Sequence, residues 1–149
     1  MGINNKTNIK SLRVNPDFTL LDLNFEKAYL LGLIYGDGHV GKNNSIEICS
    51  SDLDVIESIN RIFNYKLSIT KKTKTARSIY INSKKLSNEL RNNYALKSKK
   101  SDNITFPNID EKFVPHFLSG EIAADGSFSY RKIKKDFSVY IYIVVLNDF

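Results

Sequence analysis

Asp37 and Asp125 hold the same place in two segments of nearly the same composition that stand 88 residues apart. Residues 29–38 read YLLGLIYGDG and residues 117–126 read FLSGEIAADG, sharing Leu30/Leu118, Gly32/Gly120, Ile34/Ile122, Asp37/Asp125 and Gly38/Gly126. A repeat at that distance implies two like units related by a pseudo-twofold, each supplying one carboxylate to a shared site. Two close carboxylates repel each other when both are ionised. A divalent cation relieves that repulsion and brings hydrolytic chemistry with it. The carboxylates also fall in or beside the last turn of a helix, where the dipole disfavours them by roughly 0.3–1 kcal/mol. A bound cation offsets that cost too.

Two helices must position these residues. Asn24 is a suitable N-cap for the first and Glu26 lies in its first turn; Asp110 and Glu111 do the same before the second. Gly38 and Gly126 are natural left-handed stops. Gly32 and Gly36 lie one turn apart on one face, and Gly120 and Ala124 repeat the pattern. Small residues at that spacing let two helix backbones approach closely, a rule best documented in membranes but steric in origin. Helices packed through those faces bring Asp37 and Asp125 together at one end.

The rest of the chain reads as α+β. Residues 1–24 form a polar, mildly basic arm that packs on the first helix or reaches along a ligand. The first helix covers 25–37. Residues 39–50 read as a hairpin turning at Lys42-Asn43-Asn44. Ser51 or Asp52 caps a helix to about Phe63, with Leu53, Ile56, Ile59, Ile62 and Phe63 at helical spacing. KLSIT at 66–70 and SIYIN at 78–82 alternate as a half-exposed antiparallel pair, and a helix follows at about 84–95 with Leu86 and Leu90 inward. Periodicity alone thus spells α-β-β-α-β-β-α over 25–96. Residues 97–110 are a linker, and 111–149 supply a second helix, to about residue 125, and one hairpin. A second unit as long as the first needs more residues than remain, so the expectation is a natural truncation, one half of a split protein, or a fragment of a longer chain.

The net charge is +6, and 42% of the residues are hydrophobic, enough for a core. The charge is concentrated: residues 66–100 hold eleven Lys or Arg against the single acid Glu89, whereas residues 17–65 hold eight acids against three bases. Such concentration suits a phosphate-binding surface; a lysine-rich solvated surface is the plainer alternative. Cys49, the only cysteine, excludes an intramolecular disulfide and a Cys-type zinc site, and its apolar run IEICS marks it as a small core residue. A reducing, intracellular compartment fits, and no apolar run approaches a membrane span or a signal peptide.

Both repeated segments resemble the LAGLIDADG motif of homing endonucleases, each matching six of its nine letters. The matches are Leu30, Gly32, Leu33, Ile34, Asp37 and Gly38 in the first copy, and Leu118, Gly120, Ile122, Ala124, Asp125 and Gly126 in the second. Tyr35 and Ala123 replace the first acidic letter, and Glu121 an apolar one. The resemblance implies paired motif helices at the interface of two αββαββα units. It implies site-specific double-stranded DNA cleavage of the intron- or intein-homing type, with Asp37 and Asp125 as catalytic ligands of Mg²⁺ or Mn²⁺. It further implies a basic residue after the third helix, near the attacking water; Lys99 and Lys97 occupy that region. A saddle-like sheet laid along the DNA completes the inference, and the side chains available to it are Lys42, Asn44, Lys66, Lys71, Lys72, Lys74, Arg77, Tyr80 and Asn82, with Arg131, Lys132 and Lys134 from the second hairpin. A homodimer or a complementing second polypeptide is the partner implied beside DNA. Two other readings stay open: a DNA- or RNA-binding protein without cleavage, as in RNA maturases, and an inactive truncated remnant.

Overall fold

The structure, a computed structural model, describes residues 15, 17–64, 67–96, 105–125, 127–133 and 136–142, with side chains as far as Ala124. The elements run α1 (Phe25–Gly36), β1 (Gly38–Val40), β2 (Ser45–Ser50), α2 (Leu53–Ile62), β3 (Ser68–Lys71), β4 (Arg77–Asn82), α3 (Lys84–Asn92), α4 (Val114–Asp125), β5 (Ser127–Ile133) and β6 (Asp136–Tyr142). The order read from periodicity is the order observed: an αββαββα unit followed by the helix and first hairpin of a second. The first four strands form one antiparallel sheet in the order β1-β2-β4-β3, and β5 pairs with β6 in a second sheet.

Local chemistry accounts for the helix starts. Asn24 accepts from Lys27 N at 2.8 Å, Asp52 from Asp54 N at 2.9 Å, and Ser83 from Leu86 N at 3.1 Å. Each satisfies an amide that a helix N-terminus leaves without a partner. The start of α4 differs from expectation. Asp110 makes no side-chain cap bond, and a 3₁₀ turn over Glu111–Phe113 leads into the helix. Pro115 sits in the first turn of α4, where its missing N–H leaves no bond unmade.

The core lies between one face of the sheet and the helices. Ile46 stands opposite Ile81, and Ile48 opposite Ile79, all fully buried. Ile59 of α2, Leu86 and Leu90 of α3, and Leu30, Leu31, Leu33 and Ile34 of α1 complete it. α1 is buried almost all round, as a helix apolar on every side must be.

Three sequence readings are corrected here. Leu53 lies on the apolar stripe of α2 but is 61% exposed, because it is the first residue of the helix and the core begins at Val55 and Ile56. Cys49 is not a core residue. Strand alternation turns Ile46 and Ile48 inward, so Glu47 and Cys49 face the other way, and Cys49 is half-buried opposite Ser78. Gly38 is not a left-handed stop, since no described glycine has positive φ. It is required by crowding: a Cβ there would lie 2.6 Å from Ile34 Cα and 2.7 Å from Ile34 O. Gly126 lies outside the described residues.

Residues 17–24 pack on the fold rather than reaching away from it. Leu20 is fully buried, Phe18 stacks on Phe63 with ring centroids 4.5 Å apart, and Glu89 of α3 accepts from Thr19 Oγ1 at 2.8 Å and Leu20 N at 2.9 Å. Tyr94 OH donates to Leu20 O at 2.6 Å. Glu89→Ala strands a buried backbone N–H and is expected to cost about 1–3 kcal/mol, read as a lower denaturant midpoint, with Glu89→Gln milder.

Candidate active site

α1 and α4 touch backbone to backbone. A Cβ on Gly32 would stand 2.0 Å from Phe117 O, and a Cβ on Gly120 would stand 2.0 Å from Tyr29 O. Each of these carbonyls belongs to the residue three positions before the facing glycine, so the contact is twofold symmetric. Phe25 and Phe113, themselves 88 residues apart, meet edge-on with centroids at 6.0 Å. The N-terminal halves therefore lie side by side, the helices run parallel, and their C-termini point to the same end.

Asp37 is the C-cap of α1, with φ −97° and ψ −6°; its N–H donates to Leu33 O at 3.0 Å, and the residue is exposed. Asp125 is the last residue of α4; its side chain is outside the described set. Gly36 is half-buried in the last turn of α1, and Ala124 packs against the core beyond the crossing. Tyr35 is almost fully buried. Its OH donates to Tyr94 O at 2.7 Å, and its ring meets the edge of Phe117 at 5.1 Å. Burial pushes its phenol far above the usual range, so it stays a neutral donor. Glu121 is half-buried on α4.

The outer face of the sheet is polar. Tyr80 and Asn82 are exposed on it, and the register sets Glu47 opposite Tyr80 and Ser45 opposite Asn82. Lys42 is exposed in the β1–β2 turn, and Lys71 and Lys74 around the β3–β4 turn. Asn44 takes a left-handed φ of 62°, and its Oδ1 accepts from Arg91 Nη1 at 3.2 Å, so it is part of the turn that Arg91 ties to α3. Arg77 is half-buried opposite Lys71 and Ser50, by register on the same side of the sheet as Ile79. Arg131 and Lys132 lie in β5, opposite Ser138 and Phe137; their side chains are not among those described. Lys66, Lys97, Lys99 and Lys134 lie outside the described residues.

Sequence reasoning passed over Glu47. Its Oε1 accepts from Lys72 Nζ at 2.5 Å, Ser78 Oγ at 2.9 Å and Tyr80 OH at 3.0 Å. The Lys72 hydrogen bond, followed by those of Ser78 and Tyr80, holds the Glu47 carboxyl below its ordinary 4.5. Glu47 in turn raises Lys72 and Tyr80. A depressed carboxylate stabilises the fold above its unfolded pKa and loses that contribution as pH falls through its folded one. The stability gap between wild type and Glu47→Gln should thus be present at pH 6 and vanish toward pH 3, as thermal melts across that range would show. The gap is small, because the Lys72 side chain is 51% exposed and solvent screens the pair.

These features define a class: an α+β protein whose paired parallel helices, in contact through glycines, each carry an Asp at the same end. The LAGLIDADG-like domain family matches residues 24–105, more than half of the chain, and the chain belongs to that family. No curated protein matches it. Similar solved structures include the I-SmaMI LAGLIDADG homing endonuclease bound to cleaved DNA, at 16% identity over 80% of this chain and 64% of that one, TM-score 0.46. I-SmaMI with an uncleaved DNA target and calcium ions is similar at 17% identity, 80% and 66% coverage and TM-score 0.47. The I-GzeII LAGLIDADG homing endonuclease in complex with its DNA target is similar at 15%, 80% and 65%, TM-score 0.46. The chain therefore spans just under two thirds of the length of each.

Proposed function

We propose that this protein is a site-specific, metal-dependent double-stranded DNA endonuclease of the intron- or intein-homing type. The observation that carries the reading is the symmetric Gly32–Gly120 contact between parallel helices, each of which ends at an aspartate. Family membership supports it independently.

The donor set fits a hard divalent cation such as Mg²⁺ or Mn²⁺. Asp37 and Asp125 offer carboxylate oxygens at helix ends whose partial negative charge favours a cation. Magnesium often takes one or two carboxylates from protein and the rest from water and substrate phosphate, a demand that a pair of aspartates meets. Bound there, the ion supplies charge stabilisation to the phosphate during hydrolysis. Lys99, with Lys97 beside it, neutralises the phosphate near the attacking water. The outer sheet face lies along the major groove, Lys74 in the β3–β4 turn holds phosphate, and Tyr80 and Asn82 reach base edges. Residues 25–96 and 111–149 act as two units joined by 97–110, and a second copy or a complementing polypeptide reads the rest of the site.

A randomised duplex library incubated with the protein in Mg²⁺ or Mn²⁺, with sequencing of the cut ends, tests this. One enriched cut site in both strands is expected. Enriched binding with no cut under either ion contradicts cleavage and leaves a DNA-binding protein.

A further inference from the structure

The face assigned to DNA carries a carboxylate, which is a poor choice for a surface that meets phosphates. Glu47 sits on β2 between its partners His39 of β1 and Tyr80 of β4. It is the only acid that the register places on the outer face of the four-stranded sheet among the described residues. Its side chain is 22% exposed, and three donors converge on one oxygen, Oε1. Two of them, Ser78 and Tyr80, come from β4, and Lys72 follows β3. Among the described residues no hydrogen bond reaches Oε2. The carboxylate is thus locked in orientation, with its charge partly balanced by Lys72 and one oxygen left as an acceptor.

A fixed acceptor on a groove-facing surface discriminates between bases by sign. In the major groove cytosine offers its N4 amino group as a donor, whereas thymine offers an O4 acceptor that a carboxylate repels. The same logic makes Glu47 useless as a phosphate contact. We propose that Glu47 determines specificity at one base pair, with Oε2 accepting from the amino group of a cytosine in the bound duplex. This rests on the DNA-binding reading given above. Lys72, Ser78 and Tyr80 act through Glu47 as positioning residues.

The test is selection of bound duplexes from a randomised library by wild type, Glu47→Gln and Lys72→Ala, with sequencing of the enriched pools and thermal melts to verify folding. Wild type is expected to prefer cytosine over thymine at one position by about 10-fold or more, the discrimination that one well-placed contact gives. Glutamine can both donate and accept, so Glu47→Gln should tolerate both bases there and leave the other positions unchanged. Lys72→Ala loosens the carboxylate without removing it and should weaken the same preference while keeping its sign. An identical base profile for wild type and a folded Glu47→Gln overturns the proposal and leaves DNA binding intact. Failure of wild type to enrich any duplex overturns the DNA-binding reading, and the proposal with it.

Discussion

Asp37→Asn protein should bind its DNA as wild type does and cut it at least about 1,000-fold more slowly, a loss of roughly 4 kcal/mol of transition-state stabilisation. The substitution keeps size and shape, and its backbone N–H bond to Leu33 O is unaffected. It removes the charge that holds a hard cation, and a neutral amide is a weaker ligand. A second readout separates chemistry from folding. The substitution is isosteric at an exposed position, so the metal-free variant should melt close to wild type. Loss of cleavage without a matching loss of stability marks a carboxylate kept for chemistry. Single-turnover cleavage, DNA binding in a non-supporting ion and thermal melting without metal measure all three. A carboxylate that served only the fold would lose stability on substitution and leave cleavage to follow it.

Gly32→Ala and Gly120→Ala should each unfold or separate the helix pair. In a helix interior alanine is intrinsically favoured over glycine by about 1 kcal/mol, so propensity alone predicts stabilisation. Sterics decide otherwise. The added methyl would lie 2.0 Å from Phe117 O in the first case and 2.0 Å from Tyr29 O in the second. Backbone oxygens cannot rotate away, so α1 and α4 must move apart, and with them the packing of the buried Phe117, Leu33 and Ile34. Overpacking in a core costs about 1–3 kcal/mol, and more where backbone must move. A net loss above about 2 kcal/mol follows, which lowers the melting temperature by about 4–8 °C in a chain of this size. Far smaller effects, or stabilisation, would contradict the contact. Cleavage should fall as well, because separating the helices separates their C-terminal ends.

What could be read from the chain alone follows from the range of each interaction. Alternation in KLSIT and SIYIN, the turn at Lys42-Asn43-Asn44 and the helical spacing of Ile56 and Ile59 are local, and they yield strands and helices in the observed order. The glycines were legible because they occur twice at one spacing. The run IEICS reads as uniformly apolar and so places Cys49 in the core, whereas in the strand it alternates and puts Cys49 on the outer face with Glu47. Gly38 reads as a left-handed helix stop, which its backbone does not bear out. Its reason is crowding against Ile34 as the chain passes straight from α1 into β1. The Glu47 cluster could not be read at all, since it depends on the pairing of β2 with β4 and on the turn after β3 reaching back across the sheet. Asn44 and Arg91 are 47 residues apart and likewise meet only through the fold.

The central claim is that Asp37 and Asp125 share one cation site at the joined ends of α1 and α4. Titrating Mn²⁺ into the protein bound to its selected duplex, followed by electron paramagnetic resonance, reads this directly. The account predicts tight Mn²⁺ binding by wild type that is weakened by about 10-fold or more in Asp37→Asn and again in Asp125→Asn, with little further loss in the double variant, since each removes one ligand from the same site. Equal Mn²⁺ binding in wild type and both single variants would contradict it.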